Sequence, residues 1–452
     1  MKEWDAVETA ERIRRGDVSR REVLEAAIER AKAARPLGAI VTETFERART
    51  EIDRASGPLA GVPTFIKDLT HVTGVPIGWG TAAVEGAVST RTDPTVRHLV
   101  ALGLVSLGKS ATPELGMTGT TEPLGRAPTR NPWDPTRSSG GSSGGAASLV
   151  ASGVVPIAHA SDGGGSIRIP AASCGLVGLK PTRGRFDIEA SRLLPINVGV
   201  HGVVTRTVRD TIAFWSALDS HLRPRRPLDE VRRPTGTLRI GHFTRSPIGR
   251  AVDPSHTKAV EETARVLAGM GHSVEAIDCP FPSEIIHDFV RYWALLAWVQ
   301  DRGGRALVHP RFDRSRLEPW TKGLSRWCER EPRALASSLR RLRRFAASHT
   351  ASRRAHDVLL CPVLGHPPPT LGHLATDVPF EDALSRILDH FPFTGILNAT
   401  GEPALSLPAS RTATGLPIGV QLIGHMHDEA TLLGLALALE EAMPWPRVAP
   451  CA

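Results

Sequence analysis

Ser138-Ser139-Gly140-Gly141-Ser142-Ser143-Gly144-Gly145 opens a stretch that runs to Thr182 and decides how the chain is read. After an apolar run comes Ala160-Ser161-Asp162-Gly163-Gly164-Gly165-Ser166-Ile167-Arg168-Ile169-Pro170, and the stretch closes with Cys174-Gly175-Leu176-Val177-Gly178-Leu179-Lys180-Pro181-Thr182. Two glycine-rich loops each deliver a serine. Glycine lacks Cβ, so its backbone reaches positive φ and approaches other groups closely. A serine after three glycines can therefore stand in a tight turn with several backbone N–H groups aimed at one point. Such a cluster of donors stabilises a developing oxyanion. Glycine loops also cradle phosphate, but the Gly-x-x-x-x-Gly-Lys-Ser/Thr pattern of that use is absent.

Upstream, Gly61-Val62-Pro63-Thr64-Phe65-Ile66-Lys67-Asp68 places Lys67 on or just after an apolar strand. Ser142 and Ser166 are 24 residues apart, and Lys67 precedes Ser166 by 99. A serine hydroxyl is a poor nucleophile and needs a base. None of the 17 histidines stands beside these motifs in a triad pattern, and His159 reads as structural.

These motifs, in this order and at these spacings, resemble the amidase signature family. Its pattern is a Gly-Gly-Ser-Ser-Gly-Gly loop, an Asp-x-Gly-Gly-Ser-Ile-Arg-x-Pro segment and a Cys-Gly-x-x-Gly-Leu-Lys-Pro-Thr segment, preceded by a lysine segment. The resemblance is strong over about residues 58–215 and good over 355–445. It is loose over the N-terminal helices and slight over roughly 225–350. It implies an α/β fold: one large domain over 1–452, with a mixed, twisted β-sheet and helices on both faces, and a variable helical region at about 281–356. It also implies amide hydrolysis through an acyl-enzyme. Ser166 would be the nucleophile, Ser142, after a cis Gly141–Ser142 peptide, the proton relay, and Lys67 the general base. Burial favours that last role, because it disfavours the ammonium and lowers a lysine pKa. The backbone N–H groups of Gly163, Gly164, Gly165 and Ser166 would form the oxyanion hole, with Asp162 and Arg168 fixing the loop. The relay would then protonate the leaving amine, and water would release the acid. No metal or organic cofactor is implied.

Glu114-Leu115-Gly116-Met117-Thr118-Gly119 matches the family segment that borders the acyl pocket, so Met117, Thr118 and Gly119 are the expected substrate-binding residues. One departure is Gly163, where the family more often carries a larger residue; that would loosen the loop or widen the site. Asn131-Pro132-Trp133 and Lys180-Pro181-Thr182-Arg183-Gly184-Arg185 make the chain most similar to stand-alone bacterial amidases, including hydrolases of the 6-aminohexanoate cyclic dimer. Two alternatives stay open: the glutaminase subunit of a tRNA amidotransferase, and an inactive family member acting as a binding protein. The single tyrosine, Tyr292, leaves little of the polar pocket that glutamine would need. Hydrolysis and acyl transfer to an amine are not separated by sequence.

The hydrophobic fraction of 41% in 452 residues is ample for a large core. Cys174, Cys279, Cys328, Cys361 and Cys451 are scattered and form no Cys-x-x-Cys pair, against a disulfide framework or a zinc site. A reduced, cytoplasmic setting fits best. The polar N-terminus Met1-Lys2-Glu3-Trp4-Asp5 lacks the apolar core expected of a signal peptide, and with no apolar run of about 18 residues no membrane span is expected. The net charge of +8 reflects arginine clusters at 223–226 and 340–344. With few aromatic residues and no accompanying motif, these read as solvated surface rather than a nucleic-acid face. The expected partner is a small-molecule amide, and a homodimer is left open.

The remaining pattern predicts helices at 4–15, 44–55, 95–102, 146–154, 206–218, 256–271 and 428–443, and helical structure throughout 281–356. Ser19-Arg20-Arg21-Glu22 is a capping box ahead of a helix with Val23, Leu24, Ala27, Ile28 and Ala31 on one face. Strands are expected at 39–42, 61–70, 105–109, 155–158, 237–241, 358–363, 404–408 and 417–423. Residues 111–137, rich in proline, are expected to be loops at the rim of an active site.

Overall fold

The computed structural model describes residues 1–450, so Cys451 lies outside the described residues. Two helices open the chain, α1 (Ala6–Arg15) and α2 (Arg20–Ala33). Asp5 caps α1 by accepting the Glu8 N–H, and Gly16, at φ 78°, ends it. The capping box of α2 forms reciprocally between Ser19 and Glu22. Next come β1 (Ile40–Glu43), α3 (Phe45–Glu51), β2 (Pro63–Lys67), α4 (Pro94–Ala101) and β3 (Val105–Ser110). These strands pair in the order β1-β3-β2, with β2 parallel and β1 antiparallel to β3. Lys67 thus ends a strand of a small separate sheet.

A short hairpin of β4 (Arg130–Asn131) and β5 (Asp134–Ser138) leads through the first glycine loop into α5 (Gly144–Ala151). The middle of the chain runs β6 (Ile157–Asp162), α6 (Arg168–Cys174), β7 (Val177–Lys180), β8 (Val200–Thr205), α7 (Val208–Leu222), β9 (Arg239–His242), α8 (Pro254–Gly269) and β10 (Ser273–Ala276). A helical layer follows: α9 (Ser283–Leu307), α10 (Pro319–Arg330) and α11 (Pro332–Ser352). The chain then adds β11 (Val358–Pro362), α12 (Phe380–His390), α13 (Ile396–Thr400), β12 (Ala404–Arg411), β13 (Pro417–Ile423) and α14 (Glu429–Ala442).

Eight strands form the main sheet, in the order β10-β9-β11-β13-β12-β7-β8-β6. The β10, β9 and β11 edge is parallel and the rest antiparallel, so the sheet is mixed, as expected. Its central strands are apolar on both faces, which is why they read as unbroken apolar runs. Strand alternation sorts their side chains. Val358 and Leu360 of β11 face α7, α8 and α14, whereas Leu359 and Cys361 face the layer of α9 to α13. At the β6 end, Ala158, Ala160 and Val204 pack against α2, α5 and α6.

Two expectations need correction. The strand placed at 155–158 lies at Ile157–Asp162, so it carries Asp162 to the edge of the second glycine loop. Residues 111–121 are buried rather than exposed at a rim, because α9 and α10 cover them. The arginines of 340–344 are exposed, as expected of a solvated face, although Arg341 also reaches back to the buried Asp288.

Candidate active site

At the end of β2 the Lys67 side chain is fully buried among hydroxyl groups. Its Nζ lies 2.8 Å from Ser142 Oγ, 2.9 Å from Ser143 Oγ and 3.0 Å from Ser161 Oγ. The Ser143 hydroxyl donates to the Ser161 carbonyl oxygen at 3.2 Å, so its oxygen accepts from the amine. With Ser143 and Ser161 accepting its two N–H bonds, a neutral Lys67 amine would turn its lone pair toward the Ser142 hydroxyl. Burial pushes the Lys67 ammonium down to about 7, partly opposed by the negative charge of Asp162. The Lys67 N–H donates to His159 Nδ1 at 3.2 Å, and the His159 Nε2 meets His201 Nδ1 at 3.1 Å. His159 is therefore a structural acceptor, as expected. The Gly141–Ser142 peptide is cis.

The second glycine loop is folded around Asp162. Its carboxylate accepts the N–H of Gly165 at 2.7 Å and of Ile167 at 3.2 Å, two N–H bonds of Arg168, and Asn398 Nδ2 at 2.9 Å. These charge-assisted bonds hold the carboxyl far below the usual carboxylate range against the cost of burial. Arg168 also reaches Gln421 Oε1 and Asn398 Oδ1, each at 2.8 Å, locking the loop to β13 and α13. Gly165 stands at φ +127°, and a Cβ there would collide with the Thr394 hydroxyl, which itself donates to the Gly164 carbonyl at 2.7 Å.

This network corrects one expected role. The Gly165 N–H is turned onto Asp162 and is not available to a substrate oxygen. The N–H groups of Gly163, Gly164 and Ser166 have no protein partner among the described residues, nor has the Ser166 hydroxyl. The structure thus brings Lys67 and Ser142 into hydrogen-bond contact and leaves Ser166 unpaired at the floor of a cleft.

That cleft is lined by Met117, Thr118, Gly119, Gly164 and Ser166, and closed by aromatic and aliphatic side chains of α9, α10 and α12. Phe289 and Trp293 stack at 6.1 Å and cover Gly163 and Gly164. A Cβ on Gly163 would meet Trp293 at 3.4 Å, so the glycine widens the gap beneath the indole. Phe391 lies against Gly119. The Met117 carbonyl accepts two indole N–H bonds, from Trp293 and Trp320, both at 3.0 Å. Among the described residues no charged side chain lines the cleft.

Beneath it lies a pair of carboxyl groups. Glu114 accepts the Thr81 hydroxyl at 2.6 Å and the Glu318 N–H at 2.8 Å. Glu318 accepts the Leu124 N–H and the Thr376 hydroxyl. Burial first, and the neighbouring Glu318 second, push Glu114 up to about 7. Sequence reasoning missed Ser143, Ser161, Glu318, Trp293, Trp320, Phe289, Phe391, Thr394 and Asn398. Ser143 and Ser161 adjoin residues already singled out, whereas the others come from the poorly matched segment or from elements beyond it.

An α/β fold that gathers two serine-bearing glycine loops around a buried lysine is a scaffold for acyl chemistry. The chain belongs to the amidase family, whose profile, described as Amidase, matches residues 22–433. It is 42% identical over 451 residues to a Mycobacterium leprae protein named as an amidase, AmiC, covering 98% of this chain and 96% of that one. It is 36% identical over 479 residues to the 6-aminohexanoate-cyclic-dimer hydrolase of Paenarthrobacter ureafaciens, covering 98% and 95%. The solved structure of a 6-aminohexanoate cyclic dimer hydrolase with substrate superposes with a TM-score of 0.88 at 32% identity, covering 100% and 99%. The activity class is therefore hydrolysis of the C–N bond of small-molecule amides. No helix among the described residues is long and apolar enough to cross a membrane.

Proposed function

We propose that Ser166 is the acyl-accepting nucleophile, with Ser142 as proton relay and Lys67 as general base. The observation that carries this is the Lys67 amine, buried and 2.8 Å from the Ser142 hydroxyl with no carboxylate bound to it among the described residues. A neutral amine takes the Ser142 proton while Ser142 takes that of Ser166, as Ser166 Oγ bonds to the amide carbon. The carbonyl oxygen becomes an oxyanion held by the free N–H groups of Gly163, Gly164 and Ser166. The ammonium of Lys67 then returns a proton through Ser142 to the leaving nitrogen, and the C–N bond breaks. Water adds to the Ser166 ester by the same relay, releasing the acid and restoring the serine.

The lining of the cleft supports an uncharged, apolar acyl group, aliphatic or aryl, seated under Trp293 and Phe391. Glutamine would bring a buried ammonium and carboxylate to a wall without a counter-charge, which weighs against the glutaminase alternative. Four free cysteines among the described residues support a reduced, cytoplasmic setting.

Intact-mass spectrometry after a fluorophosphonate probe, with peptide mapping, tests the nucleophile. One adduct on Ser166, lost in Ser166→Ala, is expected, and turnover should fall by about 10⁴-fold or more in that variant. Substantial amidase activity in purified Ser166→Ala protein would sink the assignment. A folded wild type that takes no adduct would favour an inactive member.

A further inference from the structure

A second hollow, about 450 Å³ in volume, lies behind β2, on the face opposite the Lys67 amine. Ile66, Val75, Val96 and Leu104 form its aliphatic floor. Its walls are α3 with the turn that follows it, and α4. Two exposed guanidinium groups line it from the two walls, Arg54 and Arg97. Arg54 makes no hydrogen bond or ion pair among the described residues. Arg97 gives one N–H to the Thr92 carbonyl at 2.6 Å and meets no carboxylate among the described residues. The other cations of the hollow are already engaged. Arg47 is bound to Glu51 and the Thr73 carbonyl, and the Lys109 ammonium to Asp68 and the Thr70 carbonyl.

The volume is that of a small-ligand site, and the combination of a mostly apolar lining with a few charged groups at the rim is what such sites share. We propose that this hollow binds a free carboxylate with an apolar tail. The tail covers the aliphatic floor, and the guanidinium groups of Arg54 and Arg97 hold the carboxylate by charge-assisted N–H bonds. An inorganic anion would leave the floor uncovered, and a neutral amphiphile would leave both guanidinium groups unpaired. Given the apolar acyl cleft argued above, on which this step rests, the acid released at Ser166 is a ligand of this class. The hollow is then a product site.

Its position gives it a route to the chemistry. Ile66 on the floor and Lys67 in the active site are successive residues of one strand and point to opposite faces. Lys109, which lines the hollow, holds Asp68, the residue after Lys67. An occupant wedged against Ile66 therefore bears on the strand end that positions the Lys67 amine, and it lowers turnover without entering the Ser166 cleft.

The test uses octanoate as probe and octan-1-ol as its uncharged counterpart. Isothermal titration of Ser166→Ala protein, with and without Arg54→Ala and Arg97→Ala together, needs no turnover, so it reads the hollow even if the amide-hydrolysis reading fails. Loss of both guanidinium groups should weaken octanoate by about tenfold or more and leave octan-1-ol unchanged. In turnover of an acetanilide, octanoate should lower kcat in the wild type and act only on KM in the Arg54→Ala/Arg97→Ala enzyme, whose basal rate stays the same. Equal octanoate affinity in the two proteins, or inhibition confined to KM in both, would overturn the proposal. So would sedimentation with phosphatidylglycerol vesicles that depends on the two arginines without octanoate binding, which would make the face a membrane contact.

Discussion

Lys67, the base we propose, is surrounded by hydroxyl groups rather than by a partner ion. Burial strips the ammonium of water, and three hydroxyl groups replace only part of what it loses. The unprotonated form has the lone pair that a base needs, so the sign of the pH effect follows. kcat/KM should fall tenfold per unit below about pH 7, where the ammonium prevails, and level off above it. Lys67→Met keeps the length and removes the lone pair. It should be inactive across that range while matching the wild type in thermal stability, and a Lys67→Met enzyme with a wild-type pH profile would rule Lys67 out as the base. Asp162→Asn probes the loop instead. It leaves the fully buried Arg168 without its counter-charge, so chemical denaturation should show a loss of about 3–5 kcal/mol. At this scale the sequence marked Lys67, Ser142 and Ser166 because the proposed chemistry demands those residue types. It was silent where any acceptor would serve, at Ser143 and Ser161. It also could not show that Asp162 draws the Gly165 N–H inward, since that depends on where a carboxylate points and not on which residues are glycine.

The 114–119 segment has no regular structure beyond a short 3-10 turn, yet it is buried and holds its shape because helices grip it. Trp293 of α9 and Trp320 of α10 share the Met117 carbonyl, and the same indoles form the wall of the cleft. Trp293→Phe removes one N–H donor and keeps the aromatic wall, whereas Trp293→Ala opens the wall above Gly163. An acyl-chain series of anilides should separate these effects. Trp293→Ala is expected to lower kcat/KM for an octanoyl substrate by about tenfold, the worth of one or two lost methylene contacts, and to leave an acetyl substrate within about twofold. A uniform loss over the series would mean that Trp293 supports the loop only. The helices carrying these residues were legible in the sequence, and so was the capping box that opens α2. Their meeting with Met117 was not, because the bond from Trp293 joins residues 176 apart and leaves no local pattern. Short elements escaped for a related reason. β7 has four residues, and α6 has seven with a proline among them, too few for either period to declare itself.

Across the whole molecule, buried charges tie distant parts of the chain. Arg185, just past the motif stretch, binds Glu429 at the start of α14 and also Asp219 of α7, and Arg353 at the end of the helical layer binds Glu402 beside β12. The strand order belongs to this scale too. β7 lies beside β12, more than two hundred residues later, and no period within either strand records that choice. Glu114 and Glu318 differ from the other ties because neither carboxyl forms an ion pair among the described residues; Arg126 nearby gives its N–H to the Thr81 carbonyl instead. Glu114 is raised from the usual carboxylate range to about 7. Between those two pH values the folded protein holds a proton that the unfolded chain has lost, so its stability declines as pH rises through the window. Above it, the fold carries a buried carboxylate without a counter-ion. Glu114→Gln keeps an oxygen for the Glu318 N–H and an amide N–H for the Thr81 hydroxyl, and it never ionises. Its melting temperature should match the wild type near pH 5 and exceed it near pH 8.5 by a few degrees, on the order of 2 kcal/mol. A difference that stays constant from pH 5 to 8.5 would show that the pair does not titrate there. If the gain is accompanied by an unchanged KM for the octanoyl anilide, the carboxyl pair sets stability alone; a KM that loses its pH dependence in Glu114→Gln would show that the pair also sets the shape of the cleft.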